Sequence, residues 1–234
     1  MKTSIVHVVV ALLALAGTAV LLGVVAPASA QTASTQGILT WQAQNFFPAD
    51  FQGKSLPTEN ARVLVSLSAL RAGRFVDLSK TPVRWFLDTK SVAQGVGLTD
   101  LEFTVKKQHG DFQYVRASIE WSSAETQDVA IQIPVTDSFV SIGGVSPNTP
   151  LSPGVDVTLE AFPYFFNIAS LSELNFFWTV NGKRITGVLG NAVTLTVPFA
   201  DTAQNSSLTV DIVAQGKKNL LEYGKGSFTA RTSL

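Results

Sequence analysis

The feature that most constrains this chain is a tryptophan that recurs at the same place in two similar runs of alternating residues. In a strand, successive side chains point to opposite faces, so apolar–polar alternation marks a half-buried strand. From residue 38 onward this alternation dominates: Val115, Ala117, Ile119 and Trp121 interleave with Arg116, Ser118 and Glu120. Leu208, Val210 and Ile212 interleave with Thr209 and Asp211 in the same way. A first set of runs comprises Val63–Leu67, Val83–Leu87 around Trp85, Leu101–Val105 and Tyr114–Glu120. A second set comprises Val155–Glu160, Phe176–Val180 around Trp178, Val193–Val197 and Leu208–Val213. Ile119 follows Trp85 by 34 positions, and Ile212 follows Trp178 by 34. Two copies of one seven-strand unit explain the match. No strong helical pattern follows residue 30, and turn formers such as Ser152-Pro153-Gly154 and Asn181-Gly182 punctuate the runs. Many short strands without helices between them imply a sandwich or barrel.

A tryptophan on the third strand, flanked by alternating apolar residues and followed by a hairpin turn, resembles the immunoglobulin-like or PKD-like domains. In those families that side chain sits at the centre of the core. Trp85 and Trp178 carry the likeness, and Asn181-Gly182 supplies a type I′ turn signal. The chain has no cysteine, so the inter-sheet pair of antibody domains is absent and packing alone must hold the sandwiches. The chain is also similar to secreted two-domain bacterial proteins, through Ile38–Trp41 and Pro163–Asn167. The expected fold is all-β: two tandem immunoglobulin-like β-sandwiches after an N-terminal signal or anchor helix.

Residues 5–26 carry no formal charge and are mostly Val, Leu and Ala; Ala28-Ser29-Ala30 then offers a small-x-small cleavage pattern. Cleavage after Ala30 is expected. This 22-residue run could instead stay as a bilayer-spanning anchor, since a helix of that length reaches about 33 Å. Either way the remainder lies outside the cytoplasm. The expected organisation is a signal peptide or anchor at 1–30, a lead-in at 31–37, sandwiches at 38–136 and 151–234, and a linker at 137–150.

With 17 basic and 17 acidic residues the formal net charge is zero, so no strong field draws the chain to nucleic acid. The membrane is reached only through the N-terminal segment, if it is retained. Beyond residue 30 there is a single histidine, His109, in a polar turn, and no nucleophile, metalloprotease, P-loop or dinucleotide motif. No catalytic, metal or cofactor residue is assigned. Asp100 and Asp137 are the carboxylates that could approach a site between domains. Lys106-Lys107 and Lys217-Lys218 occupy corresponding turns, as solubilising residues or edge gatekeepers.

The aromatics stand out. Phe46, Phe47 and Phe51 precede the second strand, and Phe162 through Phe166 follow its counterpart in the other copy. Pro163 argues against a strand continuing in mid-sheet, so residues 162–166 are read as a loop closed by a helical turn at Ser170–Glu173. These rings should either pack against Phe46–Phe51 or form an exposed patch. Tyr164, Phe165, Phe166 and Phe177 are the candidate partner-binding residues. A non-enzymatic exported or cell-surface structural or binding module follows, as a spacer, adhesin or assembly subunit, with a protein or glycan of the cell envelope as partner. The alternative is an accessory pair of carbohydrate- or peptidoglycan-binding domains.

Overall fold

The computed structural model describes residues 34–146, 150–188, 190–197 and 207–231. The expected signal or anchor segment, with the cleavage expected after Ala30, lies outside them. Residues 34–231 belong to one compact unit. The first half holds β1 (Thr35–Ala43), β2 (Arg62–Arg71), the two-residue β3 (Arg74–Phe75), β4 (Pro82–Leu87), β5 (Lys90–Val96), β6 (Asp100–Thr104), β7 (Phe112–Ser122) and β8 (Glu125–Pro134). The second holds β9 (Phe139–Gly143), β10 (Asp156–Tyr164), a 3₁₀ turn at Leu171–Glu173, β11 (Leu174–Val180), β12 (Lys183–Arg184), β13 (Ala192–Thr196), β14 (Ser207–Gly216) and β15 (Tyr223–Arg231).

Both halves are built alike. In the first, β2 lies between β1 and β6 and also pairs with β3, facing a sheet ordered β5-β4-β7-β8. In the second, a sheet ordered β9-β10-β13 faces one ordered β12-β11-β14-β15. Every pairing is antiparallel. Setting β3 aside, each half is a seven-stranded immunoglobulin-like sandwich, with β4 and β11 in the place of the third strand. Alternation in sequence becomes alternation of burial. Val63, Val65 and Leu67 face Val83, Trp85, Val115, Ala117 and Ile119 in one core. Leu159 and Ala161 face Phe176, Trp178, Val210 and Ile212 in the other. Trp85 is 0% exposed and Trp178 is 1% exposed. Their indole N–H groups donate to the Leu98 carbonyl at 2.9 Å and the Gly190 carbonyl at 3.3 Å. Asn181 and Gly182 have φ of 45° and 77°, the two left-handed residues of a type I′ hairpin.

Four expectations need correction. The equal 34-residue spacing does not reflect equal partners: Trp178 faces Ile212, but Trp85 faces Ala117. A slip of two keeps the same sheet face, so the pattern hides it. The lead-in is shorter than 31–37, because β1 already starts at Thr35, whose carbonyl accepts from Gln127 of β8 at 3.1 Å. Residues 137–150 are not all linker, because β9 lies within them and pairs with β10. Asp137-Ser138 before it and Gly143-Gly144 at its end disguise a five-residue strand. Finally, residues 162–164 are not loop: β10 runs through Pro163 to Tyr164, opposite Val140 and Phe139. The Ala161 N–H donates to the Asn191 carbonyl on the β13 side. Residues two apart send their N–H groups the same way, and β13 pairs only as far as Glu160. The missing N–H of Pro163 therefore falls where no ladder bond is needed.

Candidate functional site

The rings expected as a loop lie where the two sandwiches meet. After β10, Phe165 takes a left-handed backbone conformation with φ of 63°, unusual for a bulky side chain and a strain of about 1–3 kcal/mol. The turn presents its carbonyl to three donors: Asn45 Nδ2 at 3.2 Å, Thr58 Oγ1 at 3.3 Å and Ser138 Oγ at 3.2 Å. Asn45 and Thr58 come from the connection between β1 and β2, which also pairs with the turn through its backbone. The Phe46 N–H donates to the Phe166 carbonyl and the Phe165 N–H to the Phe46 carbonyl, both at 2.7 Å. Asn45 is satisfied further: Nδ2 also donates to the Leu56 carbonyl at 2.9 Å, and Oδ1 accepts from Ser55 Oγ at 2.9 Å. Asn45, Ser55 and Thr58 are buried, and each has a partner, as buried polar groups require.

Apolar contacts complete the junction. Phe51 meets Tyr164 at 5.5 Å and Phe165 at 5.7 Å, edge to face, and Tyr164 lies flat on Phe139 at 4.7 Å. Of the four candidate rings, Phe165 is 6% exposed, Phe166 is 0% exposed and Tyr164 is half-buried. These three are brought together. Phe177 is not with them. It sits half-buried on β11 under the Arg184 guanidinium, 4.6 Å away.

Beside the rings lies a polar cleft lined by Glu59, Asp137, Asn167, Asn219, Glu222 and Tyr223, among others. Asn167 spans it: Nδ2 donates to Thr58 Oγ1 and to the Glu59 carbonyl, both at 3.0 Å, and its backbone N–H donates to Glu222 Oε1. Burial raises the pKa of Glu222 above the ordinary glutamate range. The Asn167 donors work against that shift, and the charge of Glu173 adds to it. Ser170 does not cap the turn with its side chain; Glu173 reaches back to the Ala169 N–H at 2.9 Å and pairs with Lys218 at 2.6 Å. Lys217 and Lys218 thus brace this turn, through Ser172 and Glu173, rather than only solubilising the hairpin. His109 lies 3.9 Å from Asp137, with both side chains exposed, and Asp100 lies on β6, accepting from Ser66 Oγ. Among the described residues no three potential ligands group to hold a metal ion. Among the described residues of the junction, the Ser55, Thr58 and Ser138 hydroxyls donate to amide or carbonyl oxygens, and none has a base behind it. The polar half of the junction, Asn45, Thr58, Asn167 and Glu222, escaped sequence reasoning. Its one visible signal is that Asn45 and Asn167 each flank an aromatic pair.

Strand order, register and the two central tryptophans define the class: a tandem immunoglobulin-like β-sandwich protein. No protein-family model and no curated protein sequence matches the chain. Among solved structures it is similar to three N-terminal domains of the Highly Immunogenic Outer Capsid protein of bacteriophage RB49, at 11% identity and a TM-score of 0.42. That match covers 85% of this chain and 59% of the phage chain. It is also similar to fibronectin(III)-like modules of Clostridium thermocellum CbhA, at 11% identity, a TM-score of 0.28, and coverage of 84% and 94%. A third match is SGBP-B of the Bacteroides ovatus mixed-linkage glucan utilization locus, at 14% identity, a TM-score of 0.24, and coverage of 83% and 47%.

Proposed function

We propose that this chain is an exported, non-catalytic module whose two sandwiches act as one stiff unit, spacing or presenting a binding surface to a protein or glycan of the cell envelope. The observation that carries the reading is the backbone bridge between Phe46 and Phe166, closed on both sides at 2.7 Å and buttressed by three donors on the Phe165 carbonyl. A flexible pair of domains needs no such lock; a spacer does. Export rests on the uncharged apolar run and Ala28-Ser29-Ala30, with the mature chain starting at Gln31. Among the described residues no helix is long and apolar enough to cross a membrane. In this reading Phe165 and Phe166 serve the junction, and Tyr164 and Phe177 remain as the surface aromatics for a partner. Sugar binding would call for a row of free rings, and Tyr164 is instead stacked on Phe139.

The test is orientational. Residual dipolar couplings measured from both sandwiches should fit a single alignment tensor, and two separate tensors would remove the spacer reading. Intact-mass measurement of protein from its native host should place the N-terminus at Gln31; a species that keeps Met1 selects the anchor form.

A further inference from the structure

The two sandwiches differ at one edge. In the first, β5 covers the outer side of β4 along its whole length, with Pro82 opposite Val96, Val83 opposite Gly95 and Trp85 opposite Ala93. In the second, β12 covers only Thr179 and Val180 of β11. The Ile185 N–H then donates to the Trp178 carbonyl at 2.9 Å, and the ladder stops. Parity fixes where the next backbone groups point. Asn181 and Glu173 bond across to β14 and its hairpin, so the odd-numbered residues face β14 and the even-numbered ones face outward. The N–H and C=O of Phe176 therefore point to the open edge, where no described residue hydrogen-bonds to them. Val83, the matching residue two before the tryptophan in the first sandwich, has Gly95 beside it.

Along this open edge runs a groove of about 370 Å³, lined by Asn175, Phe176, Phe177, Arg184, Ile185 and Val188 among others. No carboxylate lines it, and neither Lys183 nor Arg184 has an ion pair among the described residues. Asp211, the nearest acid on the same row, is two strands away from Arg184 through Thr179.

We propose that β11 binds an extended acidic segment of a partner protein, which adds as the missing edge strand against Phe176. The added strand exchanges two backbone hydrogen bonds with Phe176. Its two neighbouring residues point outward on the Phe177 face, where a carboxylate meets the Arg184 guanidinium above the ring, and the residue opposite Phe176 turns an apolar side chain inward. Main-chain bonds supply affinity and the alternate side chains supply selectivity. The inference deepens the binding half of the proposed function and rests on it, but not on the stiffness of the junction, which dipolar couplings test separately.

The experiment uses the full chain and two blocked peptides of about seven residues, one alternating valine with glutamate and one alternating valine with lysine. The glutamate peptide should slow hydrogen exchange at the Phe176 amide by about tenfold or more, and shift the Phe176 and Phe177 resonances. The lysine peptide should do neither. Arg184→Glu, an exposed substitution that should leave the melting curve intact, should reverse the preference. Protection at β5 instead of β11, equal response to both peptides, or no response at Phe176 would each overturn the proposal.

Discussion

Two kinds of residue hold this protein, and they respond differently to substitution. Trp85 and Trp178 fill the centre of each core. Replacing either with alanine removes a large buried side chain and should lower stability by about 3–5 kcal/mol, read as a fall in thermal midpoint; a shift of a degree or so would contradict their central role. Trp85→Phe is the subtler test. It keeps most of the bulk but deprives the Leu98 carbonyl of its donor, at a cost of about 1–3 kcal/mol. Glu222 behaves in the opposite sense. Its pKa is raised in the folded protein, chiefly by burial, and returns to the ordinary glutamate range on unfolding. Folding at neutral pH therefore carries the burden of burying a charge, and that burden fades as pH falls through the raised value. Glu222→Gln keeps an oxygen for the Asn167 N–H while removing the charge. The variant should melt higher than the parent at pH 7, and the difference should shrink on acidification toward the ordinary glutamate range. Parallel melting curves across pH check this, and a variant that is less stable at pH 7 refutes it.

At the scale of elements, β9 closes one edge of the β9-β10-β13 sheet of the second sandwich. It pairs with β10 and also lies close against β15, where Gly224 and Gly226 make room. A Cβ on Gly224 would meet the Phe139 backbone and the Phe166 ring at 2.9 Å, and one on Gly226 would meet the Val140 carbonyl. Both obstacles are backbone or core, so nothing gives way easily. Gly226→Ala should release β9 from β15, seen as faster hydrogen exchange at Val140 and Ile142 while Trp85 fluorescence in the first sandwich is unchanged. The turn after β10 works the same way. Asn45→Ala would leave Ser55 without its acceptor and the Phe165 carbonyl short of one of its three donors. That should lower stability by about 1–3 kcal/mol, by thermal melting. The Tyr164→Ser, Phe165→Ser double variant should lose more, because Phe165 is 6% exposed and packs on Phe51 and Phe139.

Over the whole molecule, two similar sandwiches have diverged at two places. One is the junction, where the second copy's turn after β10 is fastened to the first copy's connection between β1 and β2. The other is the outer edge, where a seven-residue β5 corresponds to a two-residue β12. The first divergence joins the two sandwiches through hydrogen bonds, and the second leaves part of β11 without an edge partner among the described residues. If both matter to function, loosening the junction through Thr58→Ala should change the relative orientation of the sandwiches in dipolar couplings without altering peptide protection at Phe176.

The sequence by itself determined the strand class, the two similar sets of strands and the two core tryptophans, because a strand's alternation records directly which face is buried. It also announced the Asn181-Gly182 hairpin, since only a left-handed pair makes that turn. It could not decide what the aromatics pack against. Asn45 and Phe165 are 120 positions apart and meet only after both sandwiches have formed. An apolar pattern reports that a side chain leaves water, not which surface receives it, so Phe165 and Phe166 read equally well as a patch or as a joint. Pro163 misled for a related reason: whether a missing N–H is harmful depends on the neighbour it would have faced, and only the limited reach of β13 settles that. The open edge at Phe176 was equally hidden, because strand pairing is a property of neighbours in space, and no local pattern states where a neighbouring strand ends.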